Sequence, residues 1–162
     1  MRACWALLVC LAATGCGYGF SSRTAKDIKS IAVPFFENRT SEPNLEIQVT
    51  EQIINNLIED NTLDVVSEDD ADALLEGKIT KFENIPFSFN KELNAEEYLV
   101  VVTVQVSLFN RKLNTAIWEG QTIRGDGSYF LDAPDQGTFD DALDEALNEI
   151  TDRILNLTVQ NW

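Results

Sequence analysis

Histidine is absent from the 162 residues. With it go the usual general base near neutral pH, the imidazole of any Ser/His/Asp or Cys/His arrangement, and the commonest zinc ligand. Cysteine occurs only at Cys4, Cys10 and Cys16, so everything after residue 16 lacks a thiol for a disulfide, a thiolate metal site or redox exchange. Basic residues are scarce too, 12 against 27 acidic ones, for a net charge of −15 at pH 7. A field of that sign repels nucleic acid and anionic lipid and leaves only local basic patches to recognise phosphate. The longest apolar run, residues 3–13, has eleven residues, about half the roughly 20 that span a bilayer as a helix. No GxSxG elbow, glycine-rich phosphate loop or alternation of aromatic with basic residues is present, so neither hydrolase chemistry nor a nucleic-acid platform has support. The expectation is a protein that is not an enzyme and holds no cofactor or metal.

What is present begins with an ordered N-terminus: Arg2, the apolar run, then Ala13, Thr14, Gly15 and Cys16. One positive charge, an h-region of that length and a small-residue approach make a secretion signal, and a cysteine directly after the small residues resembles the bacterial lipobox. Residues 1–15 are therefore expected to be removed and Cys16 to carry lipid. Residues 16–27, rich in small and polar side chains, read as the tether. The 147 residues from Cys16 onward have the size of one domain burying roughly 68–70% of its unfolded surface, and residues 28–162 are assigned to it.

Along that domain, residues 28–36 alternate as a strand that Pro34 ends or bends. Asn38, Ser41 and Pro43 mark a loop, and Asn44 is placed to cap a helix. Leu45, Val49, Ile53, Ile54, Leu57 and Ile58 recur every three or four positions, the period of an amphipathic helix over residues 45–59. Residues 63–66 form a short strand; Ser67 and the acids after it predict a brief helical turn through Leu75. Residues 77–89 read as a strand divided at Pro86, and residues 98–109 as the strongest strand, with Val100, Val102, Val104, Val106 and Leu108 on its buried face. Residues 110–114 are a hairpin loop, 115–123 the returning strand, and 125–137, with three glycines, a long loop. Thr138 caps a last helix with Leu143, Leu147, Ile150 and Ile154 on its stripe. The order predicts an α+β two-layer sandwich, two long helices on one face of a mixed four- to five-stranded sheet. Val102, Val104, Ile54 and Leu147 are the expected core.

The acidic clusters at residues 68–72 and 140–145 fall in first turns of predicted helices, where they stabilise the dipole. Asp126, Asp132 and Asp135 offer a weak divalent-cation candidate in the long loop. Arg111 and Lys112 at the hairpin tip, with Lys91 in the preceding loop, form the expected local basic patch for an anionic ligand, although the two loops need not share an end of the sheet.

Five runs carry a family resemblance: CGYGF at 16–20, IAVPFFENRT at 31–40, EPNLE at 42–46, ADALLEGKI at 71–79 and WEG at 118–120. Together they resemble the LptE family of lipopolysaccharide-assembly lipoproteins, while the IAVPFFEN run alone is also similar to CsgG-like and TolB-like envelope proteins, which leaves an adaptor of another envelope complex as the alternative. The resemblance implies a non-enzymatic outer-membrane lipoprotein, its domain facing the periplasm or seated inside the LptD β-barrel, assisting lipopolysaccharide transport and insertion. It also implies a helix-on-sheet sandwich. Lipopolysaccharide is the implied ligand; the strongly acidic composition departs from family members that meet it through basic loops.

If Cys16 is the anchor, Cys16→Ala protein moves from the membrane fraction to the soluble periplasmic fraction, because each acyl CH₂ buried in lipid is worth about 0.8 kcal/mol. Fractionation with mass spectrometry of the wild-type N-terminus checks this; an unmodified Cys16 would overturn it.

Overall fold

A computed structural model describes residues 28–160. The sequence-expected signal, Cys16 and the tether lie outside the described residues. The elements are β1 (Ser30–Ala32), β2 (Glu37–Asn38), α1 (Leu45–Asp60), β3 (Asp64–Val65), β4 (Ala73–Phe89), β5 (Ala95–Asn110), β6 (Thr115–Phe130), a 3₁₀ turn (Pro134–Gln136) and α2 (Phe139–Gln160). They form the expected α+β sandwich on a mixed sheet of six strands, in the order β3-β1-β4-β5-β6 with β2 also paired to β4. β1 and β2 lie parallel to successive stretches of β4, Ile31 beside Ala73 and Glu37 beside Lys78. β4, β5 and β6 form a long antiparallel meander.

The valine-rich strand is read correctly. Val100, Val102, Val104, Val106 and Leu108 are all buried, against Leu45, Val49, Ile53 and Leu57 of α1 and Ala142, Leu143, Ala146, Leu147, Ile150 and Ile154 of α2. Ile54 is only half-buried and Ile58 faces solvent, so the stripe of α1 is centred on Ile53. At the far end of the meander the core closes with aromatic side chains. Tyr129 stacks on Tyr98 at 5.7 Å and meets the edge of Phe139 at 5.8 Å, while Asn84 Nδ2 donates to Tyr129 Oη at 3.0 Å.

Four local expectations are corrected. The residues before Leu75 do not make a helical turn: a tight turn at residues 68–70, closed by Ser67 Oγ donating to Asp70 at 2.8 Å, leads straight into β4. Ala73, Leu75 and Ile79 are buried, so in this stretch the period of 2 prevails over the acidic first-turn pattern. Pro86 does not divide β4, which runs through it with a register shift before Ser88. Beyond Ile79, β4 has no partner on its other side among the described residues, and an edge tolerates a missing N–H. Asn44 takes the N-cap position of α1 in a left-handed conformation, with φ 61°, and its side chain makes no capping bond.

The fourth correction is the loop 125–137, half of which is strand. β6 continues to Phe130 because Gly125 and Gly127 are where α2 sits. A Cβ on Gly125 would lie 2.0 Å from the carbonyl oxygen of Ala146, and one on Gly127 2.1 Å from that of Ala142. Glycine in a strand marks close approach of another backbone, and the helix answers with alanine. Thr138 caps α2 as expected: its Oγ accepts from Asp141 N at 3.3 Å, and the Asp141 carboxylate accepts from Thr138 N at 2.8 Å, a reciprocal capping box.

Gly125→Ala should therefore cost about 1–3 kcal/mol or more by overpacking, and Leu147→Ala about 2–5 kcal/mol, read as lower melting temperatures. A Gly125→Ala protein melting with the wild type would show that α2 is not seated on β6.

Candidate functional site

Both helices lie on one face of the sheet. The other face carries Leu99, Val101, Thr103, Gln105, Ser107 and Phe109 of β5 and is not covered by either helix. Its middle is laced with ion pairs along the strands, Lys81–Glu83 at 2.8 Å and Arg124–Asp126 at 3.4 Å. Asp126 thus stands on β6 in a charge pair, apart from the loop that carries Asp132 and Asp135. Three places on the molecule have chemistry beyond packing.

The first is the junction where the chain enters the sheet. Asp72 accepts from Lys29 N at 2.9 Å and Ser30 N at 3.3 Å with one carboxylate oxygen, and from Lys112 Nζ at 2.6 Å with the other. Arg111 N donates to Asp72 O at 2.9 Å. The Lys112 ammonium, with the Lys29 and Ser30 amides, holds the Asp72 carboxyl down to about 2. One residue ties β1, β4 and the β5–β6 hairpin together. Lys112 is therefore in an ion pair, whereas the Arg111 side chain forms none among the described residues. Lys91 sits in the β4–β5 loop at the other end of β5. Sixteen residues of extended strand separate the two loops by roughly 50 Å, so the three cations expected to act together do not meet.

The second is that far end. Ile85, Phe87 and Phe89 of β4, Leu93 of the loop and Leu131 after β6 are all exposed, Phe87 by 62% and Leu93 by 82%. Leu131 N donates to Glu96 O at 3.3 Å, which brings it beside the β4–β5 turn. Five large apolar side chains at one end of a sheet form a patch of the kind that marks an interaction surface. Sequence reading, which took residues 77–89 as a strand divided at Pro86, missed it because nothing along the run reports that β4 extends past the end of both helices' cover.

The third is a groove of about 520 Å³ on the uncovered face. Pro34, Phe35 and Glu37 come to it from one motif run, Glu76, Gly77 and Lys78 from a second, Glu119 and Gly120 from a third. Local structure explains part of this. Phe36 turns inward, its N–H donating to Thr50 Oγ at 3.1 Å, and its ring occupies the space a Cβ on Gly77 would need. Gly120, at φ 67°, makes a bulge opposite Ser107, whose Oγ accepts from Gly120 N at 3.0 Å. Asn38 gathers the loop before α1, donating to Glu42 O and the Glu46 carboxylate at 2.8 Å each and accepting from Thr40 N at 2.9 Å. None of this explains Phe35, 71% exposed, or the Glu68, Glu76 and Glu119 side chains, which form no ion pair among the described residues. Glu37 is bonded to Arg39 at 2.9 Å; that guanidinium, with Lys78 nearby, holds its carboxyl below the ordinary range.

The LptE family, described as lipopolysaccharide-assembly, matches residues 28–158. The chain belongs to the LptE family. This is a family of envelope lipoproteins concerned with lipopolysaccharide assembly rather than catalysis. No curated protein matches the chain by sequence. Among solved structures, a hypothetical protein from Chlamydia trachomatis is 14% identical, covers 82% of this chain and 99% of its own, and superposes with a TM-score of 0.59. PelC from Paraburkholderia phytofirmans, a dodecamer, is 15% identical over 81% of this chain and 88% of its own, at 0.53. A minor lipoprotein from Acinetobacter baumannii is 16% identical over 82% and 92%, at 0.51. At these identities the likeness concerns the fold. Among the described residues of this LptE-family chain no helix is long and apolar enough to cross a membrane, and no three acidic side chains gather as a metal site.

The junction makes a pH prediction. Because the folded Asp72 carboxyl titrates near 2 instead of the ordinary 3.8, its contribution is complete above about pH 4 and is lost as pH falls toward 2. Asp72→Asn should be less stable than wild type at neutral pH, with the gap closing between pH 4 and 2. Parallel denaturation curves at pH 7 and pH 2 check this; a constant gap would refute the linkage.

Proposed function

We propose that this LptE-family chain is an outer-membrane lipoprotein, anchored through Cys16, that seats in an LptD-like β-barrel and assists the transport and insertion of lipopolysaccharide. In this reading residues 1–15 are removed, 16–27 form the tether and 28–162 act as one domain. The observation that carries the seating is the exposed apolar end formed by Ile85, Phe87, Phe89, Leu93 and Leu131. It lies at the opposite end of β4 from Lys29, where the described chain begins beside Asp72, so a lipid anchor and a barrel contact can be engaged together. Glu92, Glu96 and Glu97 flank the patch against the single cation Lys91. Such a surface is repelled by anionic lipid, and a protein wall is the better match.

Direct contact with lipopolysaccharide, in this proposal, falls to two separate cations. Arg111 at the junction end is the main candidate for the lipid A phosphates or an anionic part of the barrel interior, with Lys112 contributing as half of the Asp72 pair. Lys91 acts alone at the apolar end.

A double Phe87→Asp, Phe89→Asp variant tests the seating. Both side chains are exposed, so the melting temperature should stay near that of the wild type, surface changes costing about 0.5 kcal/mol or less. Recovery of the barrel protein with the lipoprotein in mild detergent should fall by an order of magnitude or more. Undiminished recovery would place the contact elsewhere.

A further inference from the structure

The groove on the uncovered face has a lining charge of one sign. Glu76 of β4 stands beside Ser107 of β5, and the Ser107 hydroxyl accepts from Gly120 N of β6, which sets Glu119 next along the same line. Phe35 and Glu37 close the groove on the other side of β4, and Glu68 completes the acidic lining. We propose that this groove is the docking site for an extended, basic segment of a partner protein, its lysine or arginine side chains against Glu68, Glu76 and Glu119 and an apolar or aromatic side chain against Phe35 and Phe109.

Charge argues for this occupant. Four glutamates line the groove against one lysine, Lys78. Glu37 is already bonded to Arg39, whereas Glu68, Glu76 and Glu119 form no ion pair among the described residues. Carboxylates gathered along a concave surface focus the field of a molecule whose net charge is −15, so a cationic chain is drawn in and an anionic lipid or nucleic acid is turned away. The rings narrow the class further. Phe35 is 71% exposed and Phe109 half-buried. A bare metal ion would leave both rings in water, but a guanidinium or ammonium over a ring face, or an apolar side chain packed against it, uses them.

Size and direction fit a peptide as well. The lining crosses β2, β4, β5 and β6, a width of roughly 14 Å at about 4.8 Å between neighbouring strands. About four extended residues cover that distance at roughly 3.3–3.6 Å each, and the groove's volume of about 520 Å³ falls within the roughly 300–1,000 Å³ of ligand clefts. Alternate side chains of an extended segment point the same way, so two long basic residues with one between them can meet Glu76 and Glu119, whose strands lie roughly 10 Å apart. Such a segment runs across the strands and adds none to the sheet; side chains carry the recognition, which makes it sensitive to salt. The groove and the apolar end are separate surfaces, Glu76 and Phe87 standing roughly 35 Å apart along β4. Both can be occupied together, and the groove inference does not rest on the seating in a barrel.

Fluorescence anisotropy of a fluorescein-labelled heptapeptide, lysine at alternate positions with phenylalanine and serine between, tests this on the full protein purified from membranes in non-ionic detergent. The wild type is compared with a Glu76→Gln, Glu119→Gln double variant, with Phe35→Ala, and with a charge-matched control at the far end of the meander, Glu92→Gln together with Glu96→Gln. All five side chains are exposed, so each variant should melt near the wild type. The Kd is expected to rise several-fold in the groove double variant and in Phe35→Ala and to stay near the wild-type value in the control; at about 1 M salt, where screening shortens to about 3 Å, wild-type binding should be lost. Equal weakening in the groove variant and the control would show attraction to the acidic surface as a whole and overturn the proposal, as would binding indifferent to Phe35→Ala. Displacement of the peptide by spermine at matched charge, with equal affinity, would assign the groove to a small polycation instead. The Phe87→Asp, Phe89→Asp protein should still bind the peptide; its loss there would place the peptide at the apolar end and not in the groove.

Discussion

The direct contact of α2 with β6, backbone against backbone at Gly125 and Gly127, is the constraint on which the rest of the sandwich depends. Because no side chain stands between them, the carbonyls of Ala142 and Ala146 occupy the space of the missing Cβ atoms, and the helix axis cannot rise from the sheet. Leu143, Leu147, Ile150 and Ile154 are then held against the valine row of β5. α1 fills the remaining width beside α2, and Gln52 Nε2 donates to Asn148 Oδ1 at 2.6 Å across the helix pair. A thiol-free domain has no other staple, so its stability rests on such close packing.

With both helices committed to one face, the other face of the sheet has no helix on it among the described residues, and the meander outruns its helical cover. The apolar end and the groove arise in just these places. The apolar end exists because β4 and β5 continue beyond the aromatic closure at Tyr98, Tyr129 and Phe139. The groove exists because β1 and β2 pair with β4 only in two short steps, leaving Pro34 and Phe35 looped out above the sheet. The Asp72 junction fixes where β1 enters the sheet, at the end of β4 opposite the apolar side chains.

The electrostatics repeat the division. The net negative charge is not spread evenly over equivalent sites: at Asp72 and Asp141 it is used in hydrogen bonds that lower the carboxyl titration, while Glu68, Glu76 and Glu119 at the groove form no ion pair among the described residues. A repulsive field over most of the molecule makes the few cations informative. Lys112 is tied to Asp72, Arg39 to Glu37 and Arg153 to Glu149, so few remain to meet an anionic ligand: Lys29 and Arg111 adjoin Asp72 through their backbone amides, and Lys91 stands at the other end of β5.

The amino-acid sequence by itself determined the class of fold, both long helices, the buried valine face and the family, because each is written in local periodicity or in contiguous runs. It also marked Thr138 as a cap, a signal complete within four residues. Tertiary structure alone decided the rest. Gly125 and Gly127 read as loop residues until a helix is laid on them, since glycine's preference for turns and its need at a close approach look the same along the chain. Ala73 and Leu75 became strand because β1 and β5 pair with β4 on either side, an arrangement no acidic first-turn pattern can report. Whether Lys91 stands near Arg111 and Lys112 was open along the chain, and the length of β5 decides it, holding Lys91 roughly 50 Å from the other two. The groove and the apolar end were invisible for the same reason: they are made by where strands stop pairing and helices stop covering, and those limits are properties of packed elements, not of any single run of residues.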